Sequence, residues 1–303
     1  MILIVTANSR LGNATARQLL ANGRSIRGLV RSQEKGADLA TLGAEIVIGD
    51  LRDPASLRRA CEGVTTVITA AHALLGGWGN KSSAVDEKGH CDLIDAAKSA
   101  GVSHFIYTSG LDADPNHPVP FLRHKAAVEQ YLKRSGLDYT IIRPTAFMET
   151  HAHQLIGQPL LEKGKVSILG QGDSPRNFVA VNDVARLIKM VLDNPQAKGE
   201  IIEIGGPDNY TNNQVAQLYA QAIGREVKIG NVPRPIVRIL SAVMWPFQPG
   251  LSQVMGWALH QDSHDNSFDP GPTLQKYPLE LMPLETFVAE QVASGKKQVA
   301  SKK

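Results

Sequence analysis

The sequence predicts a doubly wound α/β fold, a parallel sheet with helices on both faces, followed by a smaller C-terminal lobe. Three observations carry this. Short continuous apolar runs such as Ile2–Val5 and Phe105–Thr108 alternate with helical patterns through the first half of the chain, as buried parallel strands do. Glycines close the helical stretches at Gly23, Gly101 and Gly136, where a left-handed residue stops a helix. The βαβ order itself calls for right-handed crossovers onto a parallel sheet.

The elements follow in order. Ile2–Val5 reads as the first strand and Ala14–Ala21 as its helix, with Ile26–Val30, Ala44–Ile48 and Thr65–Ala70 as the next strands. Leu93–Ser99 is a helix, Phe105–Thr108 a strand, Phe121–Arg134 a longer helix and Tyr139–Ile142 a strand ended by Arg143–Pro144. After Met148 the rhythm changes. Phe178–Val181 and Ile201–Ile204 read as further strands around the helix Val184–Leu192, and Thr211–Ile223 as a helix capped by Thr211 or Asn212. The boundaries expected are residues 1–149 plus about 176–204 for the first domain and 150–175 plus 205–294 for the smaller lobe. A disordered basic tail is expected over Gly295–Lys303. Pro235–Trp257, rich in Ile, Leu, Val, Met and Trp with Arg238 its only charge, fits either a packed element or an amphipathic membrane-surface helix; packing is the expectation.

Bulk properties narrow the function. A net charge of +3 over 303 residues is too weak to imply nucleic acid. No apolar run reaches the roughly 20 residues that span a bilayer. Cys61 and Cys91 have no metal spacing and need no disulfide, which with a core strand beginning at Met1 points to a cytoplasmic protein without a signal peptide. A homodimer stays open.

Six segments in order carry a family resemblance: Ile2–Gly12 (ILIVTANSRLG), Ala44–Asp53 (AEIVIGDLRD), Asp92–Ser109 (DLIDAAKSAGVSHFIYTS), Gly136–Phe147 (GLDYTIIRPTAF), Asn177–Ala185 (NFVAVNDVA) and Gly205–Gly224 (GGPDNYTNNQVAQLYAQAIG). Together they resemble the atypical and extended short-chain dehydrogenases, and most nearly their NmrA-like branch, which includes reductases and redox-sensing regulators. The resemblance covers Met1 to about Gly230. It implies a Rossmann-type sheet binding a nicotinamide dinucleotide, with the C-terminal lobe as the substrate lobe.

The implied cofactor site departs from the family pattern. A dinucleotide turn uses glycines so that backbone N–H groups and a helix N-terminus approach the pyrophosphate. Here only Gly12 remains of three, and Thr6–Gly12 is one residue short, with Ala7 at the first glycine position. The small Ala7 and Ser9, beside Asn8 and Leu11, still admit a phosphate, and Arg10 supplies a guanidinium to face it; otherwise the turn merely joins strand to helix. The second strand ends in Arg31–Ser32 rather than an acid, which favours NADP(H) over NAD(H), unless Arg31 is a solvated surface charge. Asp50 and Leu51 stand where the family contacts adenine, and Ala70 and Ala71 are small enough to let a cofactor lie close. Thr108, Ser109, Lys125 and Pro144 complete the cofactor positions that the resemblance implies.

The chemistry is less legible. Family members use Tyr-x-x-x-Lys with a Ser, the phenol passing a proton to a carbonyl. Here Phe121 takes the tyrosine position, Lys125 remains, and Ser109 or Gly110 matches the serine. Isoflavone-reductase-type members work with a lysine and no tyrosine. Lys125 is therefore the catalytic candidate, with three readings open: ribose holder, proton relay, or structural lysine. His117, His124, His151, His153 and His260 have no metal-ligand spacing; they are expected as neutral or pocket-lining residues, with any one of them an alternative donor for the missing proton. Two function classes result: an NADP(H)-dependent oxidoreductase reducing a small apolar or aromatic substrate by hydride transfer, or a non-catalytic NADP(H)-binding sensor, regulator or assembly factor, which needs no small-molecule substrate.

Overall fold

The computed structural model describes residues 1–71 and 82–300. The chain divides into two compact units, Met1–Pro144 with Val184–Glu203, and Thr145–Asp183 with Ile204–Lys303. In chain order the elements are β1 (Ile2–Val5), α1 (Arg10–Ala21), β2 (Ile26–Val30), α2 (Ala37–Ala40), β3 (Glu45–Ile48), α3 (Pro54–Cys61), β4 (Thr66–Thr69), α4 (His90–Ser99), β5 (His104–Thr108), α5 (Pro120–Arg134) and β6 (Tyr139–Pro144). There follow β7 (Ala146–Phe147), α6 (Gln158–Lys163), β8 (Lys165–Leu169), β9 (Arg176–Val179), α7 (Val181–Leu192), β10 (Glu200–Ile204), β11 (Asn209–Tyr210), α8 (Asn212–Ile223), β12 (Lys228–Val232), α9 (Arg234–Met244), α10 (Pro249–Gln261), α11 (Gly271–Lys276) and α12 (Leu284–Ala300).

The first unit is built on a seven-stranded sheet in the order β10-β6-β5-β4-β1-β2-β3. The pairs from β3 through β6 are parallel, with Val5 opposite Leu29 and Thr69. The order reverses between β1 and β4, the switch point at which doubly wound sheets open a crevice beyond the strand C-termini. Leu3, Val67, Phe105 and Tyr107 are fully buried with Leu57, Leu93 and Val128 from helices α3, α4 and α5 in one core. Ile4, Ile68 and Ile106, which alternate with these strand residues on the other face, are buried too, so the sheet is covered on both sides.

The helix boundaries follow local chemistry. Ser9 accepts the Gly12 N–H at 3.0 Å and caps α1, so the helix starts at Arg10, four residues before the expected Ala14. Asp53 accepts Ala55 N–H ahead of Pro54 and caps α3. A π-helical turn, Ser83–Gly89, runs into α4 and lengthens the expected Leu93–Ser99 helix.

The second unit has a separate core in which Phe178, Tyr219, Leu160, Leu284 and Phe287 pack together. Its strands form a three-stranded sheet, β11-β9-β7, and a two-stranded sheet, β12-β8. Thr211 and Gln214 form a reciprocal capping box at α8. Three expectations are corrected. Strand β9, expected over Phe178–Val181 as part of the first domain, is Arg176–Val179 and pairs with β7 and β11 in the second unit. Helix α12 continues to Ala300, through most of the segment expected to be a disordered tail; residues 301–303 lie outside the described residues. The Pro235–Trp257 stretch does not bury its apolar side. Val237 of α9 is covered, but Ile236, Ile239, Leu240, Val243 and Trp245 are exposed, because α9 turns only one narrow face onto α10.

Candidate functional site

A cleft opens in the first unit at the C-terminal ends of β1, β2, β3 and β4. It is lined by Val5, Thr6, Asn8, Ser9, Leu29, Val30, Arg31, Gly49, Asp50, Leu51, Ala70, Ala71 and Val85. Seven residues marked from the sequence meet there: Asn8, Ser9, Arg31, Asp50, Leu51, Ala70 and Ala71. Others marked with them do not line it. Ala7 is fully buried and its N–H bonds Leu29 O. Arg10, Leu11 and Gly12 lie in the first turn of α1, Arg10 exposed and the other two buried. Ser32 makes no capping bond.

The shortened turn is closed by its own backbone. Thr6 takes a positive φ of 57°, rare for a β-branched residue, and Ser9 N–H reaches back to Thr6 O at 2.8 Å. Gly12 is required here, because a Cβ on it would stand 2.4 Å from Thr6 O. The single surviving glycine is thus the one whose close approach holds α1 against the turn. The Ser9 hydroxyl takes one of the free amides at the helix start, leaving fewer for an anion than a full glycine motif.

Two opposite charges line the cleft where β2 and β3 end. Arg31, at the end of β2, makes no hydrogen bond or ion pair among the described residues, and is exposed. Asp50 is held by Arg52 through two side-chain contacts of 2.8 Å and the Arg52 N–H at 2.9 Å. Those bonds, the side-chain one foremost, keep the Asp50 carboxyl below its ordinary range, with a smaller contribution from Arg31. Asp50 is therefore an ionised acceptor in the cleft and Arg31 a cation at its rim. An unpaired guanidinium suits a 2′-phosphate, and the small Gly49, Ala70 and Ala71 leave space for a planar base and ribose. These residues fit a dinucleotide.

Lys125, Thr108, Ser109 and Pro144 form a second cluster around the ends of β5 and β6. The Lys125 ammonium is 3% exposed and donates to Thr108 O at 3.1 Å and Ala71 O at 3.3 Å, joining the ends of β5 and β4. It sits 4.9 Å from the Tyr107 ring centre and 5.5 Å from that of Phe121. Burial pushes its pKa down, opposed by Asp86 and Glu129. Ser109 N–H bonds Ile142 O, and Pro144 O accepts the Leu111 N–H, so both act in the backbone ladder. The hydroxyls of Tyr107, Thr108 and Ser109 have no partner among the described residues. Tyr107 is fully buried, and burial raises its pKa well above the ordinary phenol value, so it stays protonated.

The histidines separate by surroundings. The Ser82 hydroxyl donates to Asp86 at 2.6 Å, leaving its oxygen to accept from Nδ1 of His124 at 2.9 Å; burial lowers the His124 pKa. His117 accepts Val119 N–H, His151 stands edge-on to Trp257, His153 meets the Tyr219 hydroxyl, and His260 stacks on His264. Among the described residues no three His, Cys, Asp or Glu side chains form a metal site. Burial pushes the Cys61 and Cys91 thiols each up to about 11, away from thiolate chemistry. Sequence reasoning missed His90, which is fully buried, donates from Nδ1 to Val85 O and meets the Thr69 hydroxyl. It thereby fixes Val85 at the cleft wall. His90 precedes the helix read from the sequence at Leu93, so periodicity gave no signal for it.

A reversed-order parallel sheet with a crevice at its switch point, a cation and a carboxylate at the cleft and a buried lysine at the adjoining strand ends form the architecture of a dinucleotide-binding protein. A family model described as NAD(P)H-binding matches residues 7–195. The chain belongs to the NAD(P)H-binding family of NmrA-like, atypical short-chain dehydrogenases and reductases. It is similar to the photosystem II assembly factor Ycf39 of Cyanophora paradoxa, 32% identical across 77% of this chain and 71% of that protein. It is also similar to the NAD(P)H azoreductase of Xenophilus azovorans, 28% identical across 75% of this chain and 76% of that one. The NADPH-dependent quinone oxidoreductase of Escherichia coli complexed with NADPH is 25% identical, with a TM-score of 0.77 over 97% of this chain and 99% of that one. Among the described residues no helix is long and apolar enough to cross a membrane.

Proposed function

We propose that the protein is an NADP(H)-dependent reductase of small apolar or aromatic electron acceptors. The observation that carries this is Arg31, unpaired among the described residues, at the rim of a strand-end cleft in which Asp50, the only acid among the described lining residues, is held by Arg52. When bound, the nicotinamide supplies a hydride, and with a proton from solvent or a side chain the acceptor gains two electrons. Arg31 would bind the 2′-phosphate, Asp50 and Leu51 the adenine, and Asn8, Ser9 and the start of α1 the pyrophosphate. An ammonium carries three donors; two of those on Lys125 go to carbonyls, and the third would hold the nicotinamide ribose. A cytoplasmic location accords with this reading.

A second reading, a non-catalytic NADP(H)-binding sensor or assembly factor, is favoured by two features. Phe121 stands where a proton-donating tyrosine is expected and is itself buried, and Ycf39 relatives bear an assembly-factor name. Calorimetric titration with NADPH, NADP⁺, NADH and NAD⁺, followed by NADPH oxidation assays with quinones, aromatic ketones and azo dyes, separates the two. NADPH binding with turnover supports the reductase. Clear binding with no turnover on any acceptor moves the assignment to the sensor or assembly role, and no binding of any dinucleotide refutes both.

A further inference from the structure

Strand β9 of the second unit holds a buried arginine with no acidic partner among the described residues. Arg176 is 8% exposed, and its Nε and Nη2 are buried and make no hydrogen bond among the described residues. Its guanidinium carbon lies 5.1 Å from the centre of the Phe178 ring, on the same face of the strand. That contact covers one flat side of the group and satisfies none of its N–H donors. The chain has 29 Asp and Glu, none of them in residues 72–81 or 296–303, so every acidic side chain belongs to the described residues. Burial alone acts on the guanidinium, pulling its pKa down to about 10, and the group stays charged at neutral pH.

The two unmet donors form a matched pair. Nε–H and the Nη2 hydrogen beside it make the side-on edge of a guanidinium, two parallel donors spaced to meet two oxygens of a carboxylate or a phosphate. Buried donors are normally satisfied, and a buried cation without a partner lowers stability, so packing alone would be better served by an apolar side chain.

The strand that carries this fork is fixed. On the opposite face of β9 the Asn177 amide donates to Gly206 O and Asp208 O, each at 3.1 Å. Its oxygen accepts Gly206 N–H at 2.7 Å and the Thr145 hydroxyl at 2.9 Å. The backbone is tied as well: Tyr210 of β11 pairs with Arg176, Asn177 N–H reaches Asn266 O at 3.1 Å, and Asn266 N–H reaches Pro175 O at 2.9 Å. A fork on so constrained a strand is preorganised, which lowers the ordering cost that a ligand must meet.

We infer that the Nε–Nη2 edge of Arg176 is a binding site for the carboxylate or phosphate group of a small ligand. This does not rest on the reductase reading, because the effector of a sensor would meet the same fork. The probes are sodium benzoate and sodium phosphate, each titrated at constant ionic strength against chloride into the full-length protein, with thermal unfolding and calorimetry as readouts. At ten times its Kd, a probe held by the fork should raise Tm by about 2–3 °C. A response to benzoate alone identifies a carboxylate ligand, to phosphate alone a phosphoryl ligand, and to both a fork that takes either oxyanion. Arg176→Lys keeps the charge without the fork and should weaken probe binding about tenfold or more. Arg176→Met keeps a contact with Phe178 and removes the buried charge; its urea midpoint without probe should equal or exceed that of the parent, and neither probe should raise its Tm. The parent response should persist in Arg31→Ala. The inference is overturned if neither probe raises the parent Tm above the chloride control, or if Arg176→Met responds as the parent does. It is equally overturned if the response disappears in Arg31→Ala, which would put the anion in the cofactor cleft.

Discussion

Replacing Lys125 with methionine separates a ribose-holding lysine from a structural one. Two of the three ammonium donors are committed to Ala71 O and Thr108 O. At about 1.5 kcal/mol for each charge-assisted bond, they favour the folded state by roughly 3 kcal/mol. Against them stands the cost of burying a cation, several kcal/mol before compensation, which is why burial depresses the Lys125 pKa. Methionine fits the slot beside the Tyr107 and Phe121 rings and makes favourable sulfur–aromatic contacts. The two contributions nearly cancel, so Lys125→Met should change folding stability by no more than about 2 kcal/mol. The third donor has no such offset. Its loss should weaken NADPH binding by about 1.5–3 kcal/mol, or about 10–100-fold in Kd. Urea unfolding and calorimetry read the two quantities separately. The pH dependence gives an independent check. Because the folded pKa lies below the unfolded lysine value, the unfolded chain binds more protons between them, and this group makes stability rise with pH across that alkaline window. The parent should show that rise and Lys125→Met should lack it. An unchanged NADPH Kd in Lys125→Met, with stability lowered, would refute the ribose role and leave Lys125 as a peg between β4 and β5.

Arg31→Ala should weaken NADPH binding about 10–100-fold and leave NADH within about twofold; equal losses in calorimetry for both cofactors would remove the 2′-phosphate assignment. Gly12→Ala forces a Cβ toward Thr6 O and should lower stability by about 1–3 kcal/mol, read as a smaller urea midpoint with unchanged slope. Phe121→Tyr should not by itself create a fast carbonyl reductase, because the new hydroxyl lacks the family's serine partner at its usual place; carbonyl-dependent NADPH oxidation rising to a typical enzyme rate of about 10 s⁻¹ would contradict that.

The order of elements was legible because it rests on local rules. Apolar runs and helical spacing placed β1, β2, β5 and α5 within a residue or so of their observed ends. The glycines after α1, α4, α5 and α8 all adopt positive φ, as a helix stop demands. Thr211 caps α8 because its side chain lies within reach of an amide three residues away. Seven cleft residues were legible for a related reason: in a doubly wound sheet the residues just past each strand face one crevice, so strand ends read from the sequence also locate the site.

Other features depended on pairs far apart in the chain. The capture of the Lys125 ammonium by Ala71 and Thr108, the contact of Ser82 with His124 and that of His90 with Thr69 follow from helix placement against the sheet, which periodicity does not encode. Thr6 and Gly49 joined the cleft because of backbone approach rather than side-chain character. The Pro235–Trp257 stretch shows the same limit from the other side. Its spacing determined that α9 would be amphipathic, but only the tertiary structure decided which apolar face was covered. Periodicity records which side chains share a face, whereas burial depends on what the rest of the chain packs against that face, and here α10 covers one stripe and leaves the other in solvent.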